Sequence, residues 1–410
     1  MSSLKRVWQV LREQGPLALF ARVVRGIARS IKPMPNSVPI RLLVKTEDAS
    51  EVDWSIPHPA VVEPRVVTGD KLTVAWIMSP PGESSGGHQN IFRFMSYLEA
   101  AGHTVKIYLY SSLHPFTVAI VKDMLASSPS YPKLKASIEA HTGQSVGDDV
   151  DAIFATGWET AYASFRDEAN ARRFYFVQDF EPYFTPVGSA SVLAENTYRF
   201  GFHGITAGGF LSHKLSTEYG MAASHYDFGA DKSLYNVTNQ GRRKEIFFYA
   251  RPVTERRGFE LGILALAHFA RERPDYVINL AGWDVSTYKI PFPYVNLQDL
   301  RIDELNDVYN RCAAGLVISL TNMSLLPLEL LASGVIPVVN DGENNRLVSD
   351  NPFIEYADPS PKALARRLIE VVDRADLPEH ARLASESVQG ADWDAAGATF
   401  VKLFEDAVRG

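Results

Sequence analysis

A chain of 410 residues is too long for one ordinary hydrophobic core, so two domains are expected. Hydrophobic residues make up 46% and charged residues 22%, the balance of a packed globular protein, which excludes a disordered or fibrous chain. The net charge of −7 is unevenly placed: residues 1–32 carry seven basic side chains against Glu13 alone, a net of +6, which leaves −13 on the rest. An acidic body argues against nucleic-acid binding, which wants basic residues along the main surface.

In the basic leader, Leu4, Val7, Trp8 and Leu11 recur at helical spacing, as do Phe20, Val23, Val24, Ile27 and Ile31. Two amphipathic basic helices are expected over residues 1–32. They would either lie on an anionic membrane surface or dock on the protein or on a second copy in a homodimer. Arg22, Arg25 and Arg29 break the apolar run a secretory signal would need, and no apolar stretch reaches the roughly 18–20 residues of a membrane span. With Cys312 as the single cysteine, neither a disulfide framework nor a CxxC metal site can form, and a reduced, cytoplasmic location is expected. Residues 33–69 are proline-rich and read as an extended connector.

A regular alternation follows. Apolar runs at Leu72–Met78, Thr104–Tyr110, Ala152–Thr156 and Arg173–Val177 suit strands, with helical periodicity over His88–Ala101. After a polar break at Asn236–Lys244 the rhythm restarts. Strands are expected at Glu245–Tyr249, Tyr276–Leu280, Gly315–Leu320 and Val335–Asn340, and helices at Gly258–Glu272, Ile302–Cys312, Leu325–Ser333 and Pro361–Arg374. Such alternation implies an α/β protein with two Rossmann-like parallel-sheet domains, over 70–235 and 245–390, facing an interdomain cleft. A last amphipathic helix is expected within 391–410.

The chemistry-bearing residues fall in loops after strands. Gly86 and Gly87 open a helix beside His88, where backbone amides can approach a sugar or phosphate. Asp149 and Asp151 form a DxD triplet, but they precede a strand and so lie at the end facing away from a ligand crevice. Trp158 and Glu159 follow one strand, and Asp179 and Glu181 follow the next. An aromatic face beside acids suits a carbohydrate, and paired carboxylates can orient or deprotonate a hydroxyl. Arg251, Arg256 and Arg257 in a strand–loop–helix setting make a diphosphate clamp. The stretch Thr321–Val339 carries Ser324 at a polar loop and Glu329 on an otherwise apolar helix, where an acid can accept the two hydroxyls of a ribose.

Glu329 through Val339 resembles the tail motif of retaining GT-B glycosyltransferases of family 4, and Arg251 with Arg256 or Arg257 resembles that family's basic pair. Phe228–Asp231 is similar to the short segment that closes its first domain. GGHQNIFRF, FVQDFEP and YARPVTERRGFELG look more narrowly like a bacterial rhamnosyltransferase branch of cell-surface glycan synthesis. The resemblance spans about residues 70–375. It implies a GT-B fold, transfer of L-rhamnose from dTDP-L-rhamnose with retention, and no metal cofactor. A glycan or lipid-linked glycan would be the acceptor. Its first glutamate position is Thr321 here, and Asp179 and Glu181 occupy the region of its first-domain histidine. A UDP- or GDP-sugar donor and a two-domain nucleotide-sugar epimerase remain alternatives. A glycosidase would have no need of the arginine clamp, and a sensor would bind the nucleotide sugar without turnover.

Overall fold

The structure is a computed structural model that describes residues 44–410, apart from 57–60, 62, 84 and 113. The expected helices of the basic leader and the first part of the connector lie outside the described residues. Within the connector, Thr46–Glu51 is helical, and Asp48 anchors it by accepting from Tyr110 Oη at 2.7 Å and Arg166 Nη1 at 2.8 Å.

The first sheet contains β1 (Thr73–Met78), β2 (Thr104–Leu109), β3 (Ser137–Ala140), β4 (Ala152–Ala155), β5 (Arg172–Val177), β6 (His203–Ala207) and β7 (Ala223–Tyr226), in the order β3-β2-β1-β4-β5-β6-β7. The second contains β8 (Glu245–Tyr249), β9 (Val277–Ala281), β10 (Val295–Gln298), β11 (Cys312–Val317), β12 (Ile336–Asn340) and β13 (Glu355–Ala357), ordered β10-β9-β8-β11-β12-β13. Every strand pairing within these two sheets is parallel. Strand order reverses between β1 and β4 in one sheet and between β8 and β11 in the other, and ligand crevices form at the carboxyl ends of strands at such points.

Register explains the first core. Trp76, Phe154 and Phe174 are cross-strand neighbours on β1, β4 and β5, and their rings stack at 4.3 Å and 4.8 Å between centroids. The helix Trp393–Arg409 closes over them with Phe400 and Phe404, so the end of the chain completes the core of the first lobe. Chain crossings between lobes lie together: Ala230 N donates to Ala391 O at 3.1 Å, and Gly229 has backbone of Asp392 and Trp393 where a Cβ would stand. The polar break before β8 is ordered, with buried Arg243 donating to the carbonyls of Asn239, Ser333 and Gly334.

Several boundaries differ from expectation. The helix after Ile302 stops at Tyr309 and β11 starts at Cys312; the Asn310 side chain closes this turn by donating through Nδ2 to Asn306 O at 2.9 Å, and its Oδ1 accepts from the amides of Thr238 and Asn239. Strands β3, β7, β10 and β13 sit at or beside sheet edges with mixed burial, and their short runs lack the continuous apolar signal of a strand covered on both faces.

Candidate functional site

The loops leaving β1, β4, β8 and β11 meet at the two points of strand reversal, with the loop after β5 beside them. These loops and the first turns of the helices that follow them carry every residue singled out above for sugar or nucleotide contact.

On the first lobe these residues form a continuous rim. Gln178 Nε2 donates to Gly87 O at 3.1 Å, and Gln178 Oε1 accepts from Asn90 Nδ2 at 3.0 Å. Gly86 and Gly87 are the exposed first residues of the helix Gly86–Ala100, and Ser85 before them makes no side-chain cap. Ser85 Oγ instead lies 2.7 Å from His88 Nδ1, and Ser79 Oγ lies 3.0 Å from His88 Nε2. Burial lowers the His88 pKa from its usual value, which favours the neutral ring.

Next along the rim, Glu181 ties two loops together. Its carboxylate accepts from Trp158 N at 2.8 Å and from Tyr175 Oη at 3.1 Å, and burial pushes its pKa up to about 8. Both oxygens are therefore engaged, one at the start of the helix Trp158–Arg166 and the other by Tyr175 on β5. The neighbouring Glu159 makes no side-chain hydrogen bond or ion pair among the described residues and is also shifted upward by burial.

Asp179 faces the other lobe. Its Oδ1 accepts from Phe180 N at 2.9 Å and its Oδ2 stands 3.2 Å from Arg256 Nε. Burial raises the Asp179 pKa, opposed first by the charge of Arg257, then by the nearby Thr321 hydroxyl and the charge of Arg256. The Arg256 guanidinium also lies over the Phe184 ring, 4.1 Å from its centroid.

On the second lobe the sharp turn 250–258 holds three arginines. Gly258 has φ +57°, and the Ile318 side chain stands where a Cβ would be, so the turn into the helix Phe259–Glu272 favours glycine. Arg257 Nη1 donates to Ser319 Oγ at 2.6 Å, and Arg251 Nη1 donates to Tyr249 Oη at 3.0 Å. Glu329 sits on the seven-residue helix Leu326–Ala332, with the side chains of Tyr309 and Tyr235 and the charge of Arg93 nearby. Burial pushes its pKa up to about 7. Among the described residues Glu329 makes no ion pair with any of the three arginines, and the charged group that acts on it is Arg93. Ser324 is half-buried in the loop before this helix, and no side-chain hydrogen bond engages it among the described residues.

Sequence reasoning missed the residues that join the lobes. Asn322 Nδ2 donates to Gln178 O and Ala207 O, both at 3.1 Å, at the ends of β5 and β6. Arg93, in the first-lobe helix, lies 3.9 Å from the Trp393 ring and faces Glu329. Their partners are remote in the chain, so no local pattern could have marked them. The DxD pair is turned outward as expected: Asp149 accepts from Lys106 Nζ at 2.7 Å, and Asp151 pairs with Arg65.

Four buried polar atoms along this seam, Arg251 Nε, Arg256 Nε, Thr321 Oγ1 and Asn322 Oδ1, make no well-formed hydrogen bond. Thr321 and Arg256 lie against Asp179 without suitable hydrogen-bond geometry. Groups left without partners here are ones that a polar ligand could engage.

Two parallel Rossmann-like lobes with a site at the facing carboxyl ends of their strands define a GT-B-type α/β fold. Residues 244–369 match the family described as WsaF, C-terminal domain. The O-antigen biosynthesis protein RfbC of Myxococcus xanthus is 32% identical over 352 residues, which are 82% of this chain and 27% of that protein, so the chain spans about a quarter of the length of this relative. Staphylococcus aureus TarM, solved with fondaparinux, α-GlcNAc-glycerol and UDP, superposes with a TM-score of 0.64 at 8% identity, covering 81% of this chain and 99% of that one. Anabaena HepE, solved with UDP, gives a TM-score of 0.60 at 14% identity, covering 82% and 100%. Among the described residues, no helix is long and apolar enough to cross a membrane.

Proposed function

We propose that the chain is a glycosyltransferase of cell-surface polysaccharide assembly. It moves L-rhamnose from dTDP-L-rhamnose, with retention, to a glycan or lipid-linked glycan acceptor. The observation that carries this reading is the set of unsatisfied arginine, threonine and asparagine atoms at the seam between lobes, opposite a first-lobe rim of acids and an aromatic. The match of 244–369 to the WsaF C-terminal domain and the likeness to RfbC support a role in glycan assembly. TarM and HepE, each solved with UDP, support a nucleotide-sugar donor.

In this reading Arg251, Arg256 and Arg257 neutralise charge that develops on the leaving diphosphate, without calling on a metal. Glu329, with tyrosine hydroxyls already arranged around it, accepts the ribose hydroxyls. Trp158 and Glu159 line the acceptor side, and Asp179 is the acid that meets the acceptor hydroxyl once the donor is in place. Glu181 acts through Trp158 and Tyr175 as a positioning residue, since both its oxygens are occupied. The closed seam keeps water from the donor. The basic leader, if seated on an anionic membrane, would bring a lipid-linked acceptor to the cleft.

Incubating the protein with radiolabelled dTDP-L-rhamnose, UDP-sugars or GDP-sugars and a rhamnosylated acceptor tests the reading. Label transferred from dTDP-L-rhamnose supports it, and transfer from another donor corrects the sugar. An epimerised nucleotide sugar replaces it with the epimerase alternative, and binding without turnover replaces it with a sensor.

A further inference from the structure

Two of the three arginines of the 250–258 turn, Arg256 and Arg257, act on one first-lobe carboxylate, Asp179, while Arg251 is engaged by Tyr249. Asp179 Oδ2 is 3.2 Å from Arg256 Nε, the side chains are 11% and 29% exposed, and the Arg257 charge also bears on Asp179. The pairing is imperfect. Arg256 Nε makes no well-formed hydrogen bond to the carboxylate, and the guanidinium is held from its other side by the Phe184 ring. Meanwhile Oδ1 is independently fixed by the amide of Phe180. A carboxylate that holds an arginine by charge alone, while anchored elsewhere, is arranged to let go.

We propose that Asp179 is an internal stand-in for the donor diphosphate. In the free protein it supplies the counter-charge to Arg256, and an arriving diphosphate takes the guanidinium over, leaving the carboxylate free to face the acceptor hydroxyl. This rests on the glycosyl-transfer reading and adds an order to it, donor before acceptor. The physical reason is electrostatic. A half-buried cationic cluster without any anion is unfavourable, so the free state keeps one carboxylate there, and that carboxylate must be displaced when a diphosphate binds. Arg256 is already stacked on Phe184, so the exchange needs no large movement of the guanidinium.

The test is calorimetric binding of UDP and dTDP to the full chain and its variants. Removing a competing internal anion destabilises the free state more than the complex, so Asp179→Asn should bind the diphosphate about tenfold more tightly than wild type. Asp179→Ser serves if the amide variant folds poorly. In a double-mutant cycle, Asp179→Asn made on top of Arg256→Ala should give much less tightening, because the shared guanidinium is gone. A carboxylate that merely braces the lobes would instead weaken binding when removed, with the same effect in both backgrounds. Unchanged or weaker binding by both Asp179 variants overturns the stand-in while leaving the glycosyl-transfer reading intact. Failure of the wild type to bind either nucleotide removes the basis of both.

Discussion

Replacing Gly209 by alanine probes how tightly the lobes must meet. Gly209 begins the first-lobe helix Gly209–Tyr219, and a Cβ there would stand 2.6 Å from the backbone oxygen of Leu347 in the second lobe. Gly209 has ordinary backbone dihedrals, unlike Gly208 with φ +82°, so the substitution adds volume without backbone strain. Reaching an ordinary contact of 3.4 Å requires the seam to open by about 0.8 Å. Asn322 spans the same seam, and its bond to Ala207 O starts at 3.1 Å, so that opening carries it to ~3.9 Å, past the hydrogen-bond limit. Its bond to Gln178 O, also at 3.1 Å, faces the same stretch. Loss of two such bonds is worth ~2 kcal/mol, and misplacing facing catalytic groups by this distance costs about 100-fold in rate. The proposed glycosyl transfer, measured at saturating and limiting donor, should therefore fall about 10- to 100-fold in Gly209→Ala, with small-angle scattering showing a more open particle. The thermal midpoint should move by only a few degrees, because neither core is touched. Wild-type turnover with a wild-type scattering profile would show that Leu347 yields locally and that this seam does not set the catalytic geometry.

Three further outcomes are expected. Burial raises Glu329 from 4.5 to about 7, so its neutral form is favoured on folding; its contribution to stability is intact below pH 4.5 and is lost as pH rises to about 7. Glu329→Gln should consequently melt higher than wild type at pH 8, by ~2 kcal/mol in urea unfolding, with the gap closing near pH 4.5; a constant gap across pH would contradict the assignment. Arg251→Ala and Arg257→Ala should each weaken UDP or dTDP binding about 10- to 100-fold by calorimetry, whereas Arg65→Ala, on the outward face, should leave it unchanged. Trp76→Ala removes a fully buried ring stacked on Phe154 and should cost about 3–5 kcal/mol in denaturant unfolding; a loss below 1 kcal/mol would show that the aromatic stack does not organise the first lobe.

Much of the site was legible because its pieces are local. A buried apolar strand, a glycine-marked turn and a helix recur within short windows, so Gly86–His88, Trp158–Glu159, Asp179–Glu181 and Arg251–Gly258 could be placed at strand ends by pattern alone. Roles within those windows were less legible. Asp179 and Glu181 are two residues apart in one loop, yet Glu181 is consumed by Trp158 N and Tyr175 Oη while Asp179 turns to Arg256. Glu329 was marked by its apolar neighbours, but the tyrosines and Arg93 around it come from separate elements.

The order of apolar runs and polar loops alone determined that the chain forms two lobes of parallel strands with arginines and acids at their mouths, because strand burial and turn chemistry are written in neighbouring residues. Tertiary structure alone decided that the terminal helix returns to the first lobe through Phe400 and Phe404, and that Asn322 stitches the lobes. It also decided which acid meets an arginine. Those outcomes depend on contacts between distant stretches, where close packing and desolvation, rather than local propensity, select each partner.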